Sequence, residues 1–203
     1  MTSNASAVPK IPTITVGLRP FHPFGAALTP ADGEKATLSD LLVTFSTQPD
    51  GNVRFEYALE GRLDALRLPS ASEPAPLPLW EHTCFEAFLA TPGAESYREF
   101  NFSPDGQWVV AAFSRYRELH RRLEEGSTPL IETSRTADRL TLVVEVPPAL
   151  LPAGPVLRVG LSAVIEHHDG RLEYRAVRHP AAKPDFHHAD GWVLQLDTRV
   201  AAQ

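Results

Sequence analysis

The chain has 203 residues, roughly one domain at ~150 residues per domain, and a chain of that size buries about 70% of its unfolded surface without needing a disulfide or structural metal. Its 19 Lys and Arg against 25 Asp and Glu leave a net charge of −6, which lacks the basic footprint that phosphate backbones require and excludes nucleic acid as an expected partner. Hydrophobic residues make up 43% and charged ones 22%, with 19 prolines among 203 positions, well above the usual ~5%; this excludes a disordered chain or a long-helix bundle and favours short strands between many turns.

Residues 1–11 are small and polar and are expected to form a flexible leader, followed by one domain over 12–197 and a tail over 198–203. The opening has no basic segment followed by an apolar one, and no run approaches ~18 apolar residues, so neither a secretion signal nor a membrane partner is expected. The single cysteine, Cys84, excludes an intrachain disulfide and a Cys-based zinc or iron–sulfur site, and a cytoplasmic location is the expectation.

Ile14, Val16 and Leu18 alternate as one face of a strand, and a loop rich in Pro and Gly follows over 20–33. Residues 37–47 and the alternating Val53, Phe55, Tyr57 and Leu59 flank a turn at Pro49–Asn52, which reads as a β-hairpin. The segment 69–78 carries Pro69, Pro74, Pro76 and Pro78 and reads as extended loop. Strands are predicted over 80–90, 97–102 and 107–113, separated by turns at Pro92–Gly93 and Ser103–Gly106. Residues 115–125 are the one stretch that reads as helix, short, charged and ended by Gly126. Strands resume over 130–134, 140–146, 156–166, 172–177 and 192–196. About a dozen short strands with almost no helix predict an all-β fold, a two-sheet antiparallel β-sandwich.

Alternation along 80–90 puts Phe85, Ala87 and Leu89 on a core face and Trp80, His82, Cys84, Glu86 and Phe88 opposite, a mixture of polar and aromatic groups. In a meander, Glu86, Glu99 and Asn101 share one face, with directly opposed residues about 5 Å apart. Two carboxylates that close need a cation, a hydrogen-bonding ligand or a shared proton. Arg175 or Arg178 could neutralise them, and both an ion-pair network and a polar ligand cup fit the pattern. Six of the eight histidines are grouped as His167-His168, His179 and His187-His188, with His82 on the central strand, and His82, His179, Asp185 and His187 are the candidates for a divalent ion, although their spacing matches no recognised metal motif. His82 and Cys84 stand i and i+2 on a strand, about 6.6 Å apart, too far for a ready Cys–His nucleophile. No G-x-S-x-G elbow, P-loop or G-x-G-x-x-G is present.

The string Leu79-Trp80-Glu81-His82-Thr83-Cys84-Phe85-Glu86, the run from Tyr97 to Trp108, the pair Tyr116-Arg117 and the segment Pro184-Asp185-Phe186-His187-His188 resemble the small bacterial proteins described as DOMON-like. That group belongs to the superfamily that also holds family 9 carbohydrate-binding modules and the DOMON cytochrome and sugar-binding domains. The resemblance runs from about residue 12 to 197 and implies a β-sandwich with a ligand cup on one sheet. It implies that Glu86 and Asn101 stand where the superfamily places polar residues on the ligand-bearing sheet, and that Trp80 or Trp108 stacks on a sugar. Haem-binding members use a Met and a His, and the only methionine here is Met1, so Met/His haem ligation is excluded and no cofactor is expected.

Three functions compete. A non-catalytic module would bind a small polar ligand such as a sugar through Trp80, His82, Glu86, Glu99, Asn101, Trp108, Arg175 and His179, with no catalytic residue. A carbohydrate-active enzyme would use Glu86 and Glu99, since retaining glycosidases hold two carboxyls about 5–5.5 Å apart. An interaction domain would cover the same face with a protein partner or a second copy of the chain, using Trp80 and Trp108.

Overall fold

The computed structural model describes residues 12–22, 37–123 and 126–199. The predicted leader lies outside the described residues, as do most of the loop over 20–33 and the last residues of the tail. Thirteen strands among the described residues pair into two antiparallel sheets. The smaller sheet has the order β1 (Ile14–Gly17), β3 (Leu38–Thr47), β4 (Val53–Gly61), β10 (Arg139–Val146), β9 (Leu130–Arg135). The larger runs β2 (Arg19–Pro20), β12 (Leu172–Ala176), β11 (Val156–Glu166), β5 (Cys84–Ala90), β6 (Tyr97–Phe102), β7 (Trp108–Arg115), β8 (Glu118–Arg122). A final strand, β13 (Leu194–Asp197), pairs with the first half of β11 at Val156–Val159, while β12 pairs with its second half. The all-β sandwich expected from the strand pattern is the observed architecture.

Side chains alternate along each strand, and the two inward faces meet as one apolar core. Phe85, Ala87 and Leu89 of β5, Phe100 and Phe102 of β6, and Leu157 to Ile165 at every second position of β11 pack on Val43, Phe45, Phe55, Tyr57 and Leu142. The Tyr57 hydroxyl donates to the Glu86 carbonyl oxygen at 3.1 Å, a hydrogen bond across the sandwich directly beneath the outer face of β5.

Two expectations about elements are corrected. The charged stretch predicted as helix over 115–125 is no helix in its described part, 115–123: Arg115 to Glu118 turns a hairpin and Glu118–Arg122 forms the exposed edge strand β8. Edge strands are commonly defended by charge, and a strand exposed on both faces carries no apolar period to distinguish it from a solvated helix. The strand predicted over 80–90 begins only at Cys84, because Leu79–Glu81 forms a 3₁₀ turn after Pro78. Prolines up to residue 78 supply no backbone donors for a ladder, and the Thr83 hydroxyl instead donates to the Arg67 carbonyl oxygen and accepts from the Glu166 amide. Trp80 and His82 are therefore not set by strand alternation.

Candidate functional site

The outer face of the larger sheet carries Cys84, Glu86 and Phe88 from β5, Glu99 and Asn101 from β6, and Val109, Ala111 and Phe113 from β7. The register opposes Glu86 to Asn101 and Phe88 to Glu99, so the two glutamates are diagonal rather than directly opposed. Above this floor a segment over 184–193 crosses the sheet. Trp192 stacks on Phe88 with ring centroids 5.9 Å apart, and its Nε1–H donates to the Phe186 carbonyl oxygen at 2.9 Å. Gly160 of β11 makes that position possible, since a Cβ there would lie 2.1 Å from Trp192 Cδ1.

The result is an open cavity of about 500 Å³. Glu86 and Glu99 form its acidic floor, Phe88, Phe113, Tyr174 and Phe186 supply aromatic rings, and Trp80 and Glu81 from the 3₁₀ turn stand at its rim. The hairpin of β7 and β8 adds Arg117, Leu119 and Arg122, and the crossing segment adds Pro184 and His187.

The floor is held by neutral partners. Glu86 is 2% exposed, and its Oε2 accepts from the Ser162 hydroxyl at 2.9 Å. Glu99 is 8% exposed, and its Oε1 accepts from Asn101 Nδ2 at 2.9 Å, while the Asn101 side-chain oxygen Oδ1 accepts from the Cys84 thiol at 3.7 Å. Burial first, and then the charge of Glu99, push the Glu86 carboxyl up to about 8, against the opposing bond from Ser162. Burial also raises Glu99, with Asn101, Arg117 and Arg122 pulling the other way. Glu86 is therefore a neutral acid at pH 7.

The wall is organised by Asp185. Its carboxylate accepts from the Tyr116 hydroxyl at 2.7 Å and from Arg117 at 2.9 Å, pinning the crossing segment to the hairpin. Burial alone would raise Asp185, but those two bonds hold it below the ordinary value. The Arg117 amide donates to the Tyr97 hydroxyl at 3.1 Å, and that hydroxyl lies 2.7 Å from His187 Nδ1. The Tyr97 proton has no other acceptor among the described residues, so the tautomer that satisfies it has the hydroxyl donating to Nδ1. The His187 proton then resides on Nε2, which faces Glu99 Oε2 at 3.8 Å. Burial, followed by Arg117, pushes the imidazole down to about 4, against the pull of Asp185. A nitrogen-detected NMR titration should accordingly show His187 neutral and Nε2-protonated throughout pH 5–8; a ring that charges near ~6.5, as an unperturbed histidine does, would contradict this wiring.

Arg117 also adopts φ +54°, the left-handed region, which costs a non-glycine residue about 1 kcal/mol or more. Removing its side chain loses the Asp185 bond in either case, but Arg117→Gly relieves the backbone and Arg117→Ala does not. Urea unfolding should therefore find the glycine variant the more stable of the two by about 1 kcal/mol.

Of the residues the sequence pointed to, Trp80, Glu86, Glu99 and His187 line the cavity, and Asn101 braces Glu99 from beneath. The others go elsewhere. Trp108 opposes Phe102 and packs against the core between the sheets, so it offers no platform on this face. Arg175 stands opposite Ala163, on the inward side, and binds Glu173 at 2.6 Å rather than either floor glutamate. His82 turns to Glu166, its Nδ1 at 2.8 Å from Oε2. His179 donates from Nε2 to the Arg19 carbonyl oxygen at 2.9 Å and lies beside Phe21. With Asp185 engaged by Tyr116 and Arg117, the proposed divalent-ion set of His82, His179, Asp185 and His187 does not come together. Among the described residues no three His, Cys, Asp or Glu side chains converge on a metal position.

Sequence reasoning missed Tyr174, Phe186, Arg122 and the hairpin tip. Tyr174 was legible as facing away from Glu173 and Arg175, but its place in the cavity with Glu86 depends on β12 and β5 flanking β11, and the β5–β11 pairing, which opposes Glu86 to Ser162 76 positions away, is not revealed by alternation.

No family model matches the chain, and no curated protein matches it. Among solved structures, a protein of Bacteroides uniformis described as a "putative carbohydrate-binding protein" is similar, with a TM-score of 0.57 at 13% identity over 92% of this chain and 86% of that one. At such low identity the likeness establishes a shared fold.

Proposed function

We propose that this protein is a non-catalytic binding module for a small polar ligand, a sugar or sugar derivative, held on the outer face of the larger sheet. The observation that carries the reading is the cavity itself: buried hydrogen-bonding groups at the floor beneath aromatic rings, in a space of about 500 Å³. That size and that mixture suit a sugar, whose hydroxyls seek carboxyl and amide groups while its C–H faces seek aromatic rings. The fold shared with the Bacteroides uniformis protein supports it, and kinship with the DOMON-like and family 9 carbohydrate-binding group is part of the same proposal. Calorimetry with a panel of mono- and disaccharides tests it on the wild type and on Trp80→Ala, a change at a rim residue 38% exposed. A saturable sugar heat that weakens about tenfold in the variant is the expected result. Equal affinity in both proteins, or no heat with any sugar, rejects the site.

One observation favours a second reading, a carbohydrate-active enzyme. Glu86 is held protonated beside Glu99, and a pair of carboxyls with separated ionisation is how general acid and base roles are divided. Hydrolysis of aryl glycosides that is abolished by Glu86→Gln would establish it, and a wild type inactive on such substrates removes it.

A further inference from the structure

The unusual feature of the cavity is that two nearly buried carboxyls meet there and, among the described residues, neither is ion-paired to an arginine or lysine. Each uses one oxygen on a neutral protein donor, Ser162 for Glu86 and Asn101 for Glu99. Among the described residues, the second oxygen of each has no hydrogen-bond donor, Glu99 Oε2 having only His187 Nε2 at 3.8 Å. Buried acids are ordinarily matched by a paired cation or by a full set of donors. Arg175, one of the two arginines the sequence offered for that task, stands on the other side of the sheet, bound to Glu173. Arg117 is engaged by Asp185 at 2.9 Å, and Arg122 stands on an exposed strand at the rim. Aromatic rings, among them Phe113, Tyr174 and Phe186, line the same cavity, and ring faces attract cations.

Resting on the sugar-binding reading of this cavity, we propose that its ligand carries a protonated primary amine, an amino sugar, with the ammonium group seated between the free oxygens of Glu86 and Glu99. An ammonium has three donors and no acceptor. It would satisfy both carboxyl oxygens at once, where a hydroxyl has a single proton to give. His187, fixed as an Nε2–H donor, would serve a neighbouring ring oxygen or hydroxyl. The seat also has a proton linkage. Glu86 is faced by Glu99, by the Ser162 hydroxyl, by Cys84 and, through the core, by Tyr57; the other titratable or charged groups lining the cavity are Glu81, Arg117, Arg122, Tyr174 and His187. The Glu86 proton leaves when an ammonium takes its place, so binding near neutral pH releases a proton to the buffer.

The test is calorimetry at neutral pH with matched sets in the gluco, galacto and manno configurations, each comprising the 2-amino sugar, its N-acetyl derivative and the parent hexose. The expected result is an amino sugar bound about tenfold or more tightly than both neutral counterparts. The heat should vary with the ionisation enthalpy of the buffer in the direction of proton release. In Glu86→Gln and Glu99→Gln, each first checked for a cooperative melt, the preference should fall towards unity. The buffer dependence of the wild type decides the matter even if a variant fails to fold. Neutral hexoses that bind as well as the amines overturn the ammonium seat and leave the sugar reading standing. Ethanolamine that matches the amino sugars while no neutral sugar binds supports the seat and overturns the sugar reading. No binding by any of these probes overturns both.

Discussion

Glu86→Gln is expected to stabilise the ligand-free protein, and to do so increasingly as the pH rises. In the unfolded chain the carboxyl ionises near its ordinary 4.5, whereas in the folded protein burial and Glu99 hold its proton until about 8. Between those values the native state binds more protons than the unfolded state, so this group subtracts stability as pH increases and its effect levels off above about 8. At about 1.4 kcal/mol per unit, the difference between wild type and variant should grow from near zero at pH 4.5 to roughly 3–5 kcal/mol at pH 8. The amide retains an oxygen able to accept from Ser162, so the substitution removes the charge and keeps the hydrogen bond. Urea unfolding of both proteins at several pH values measures the difference directly. A constant offset across that range would mean that Glu86 is ionised in the folded state. The direction also has a functional meaning: a site that destabilises the empty protein is one whose ligand would restore the balance.

The second large effect concerns the segment that walls the cavity. Gly160→Ala places a methyl group where Trp192 Cδ1 would be 2.1 Å away, so the indole and the chain that carries it must move. Overpacking of this kind costs about 1–3 kcal/mol or more, and here it also shifts Phe186 and His187, which share the segment. Trp192→Ala should cost roughly 3–5 kcal/mol, as for other buried large aromatics. The two are coupled: on the Trp192→Ala background the added methyl meets no ring, and Gly160→Ala should become nearly neutral. A double-mutant cycle in urea reads this as a coupling of 1 kcal/mol or more. Additive losses would show that the segment does not depend on the glycine for its seat.

Much of the sandwich was legible because its strands obey simple alternation. Phe85, Ala87 and Leu89 face inward as their spacing requires, as do Leu157, Val159, Leu161, Ala163 and Ile165 of β11. The same rule placed Glu86, Glu99 and Asn101 on one face, and the structure finds them there. Alternation failed at Trp80 and His82, where prolines delay the strand, and at Glu118–Arg122, where an exposed edge strand has no apolar side. Trp108 was a different case: the family resemblance, not alternation, implied it as a stacking platform, and its register opposite Phe102 turns it to the core.

The remaining division is one of range. Composition and local pattern determined a β-sandwich without disulfides, and put two acids with an amide on one sheet face, because those properties depend on residue counts, on alternation within a strand and on the pairing of strands that follow one another in the chain. Which cations and rings meet those acids was decided only by tertiary structure. Tyr116 and Arg117 reach Asp185 across nearly 70 positions, Ser162 reaches Glu86 across 76, and Arg175 is carried to the opposite side by its pairing with β11. Local spacing carries no information about such contacts. They arise when the core buries its apolar faces and fixes strand order, and it is strand order that leaves Glu86 and Glu99 together in a cavity without a buried cation.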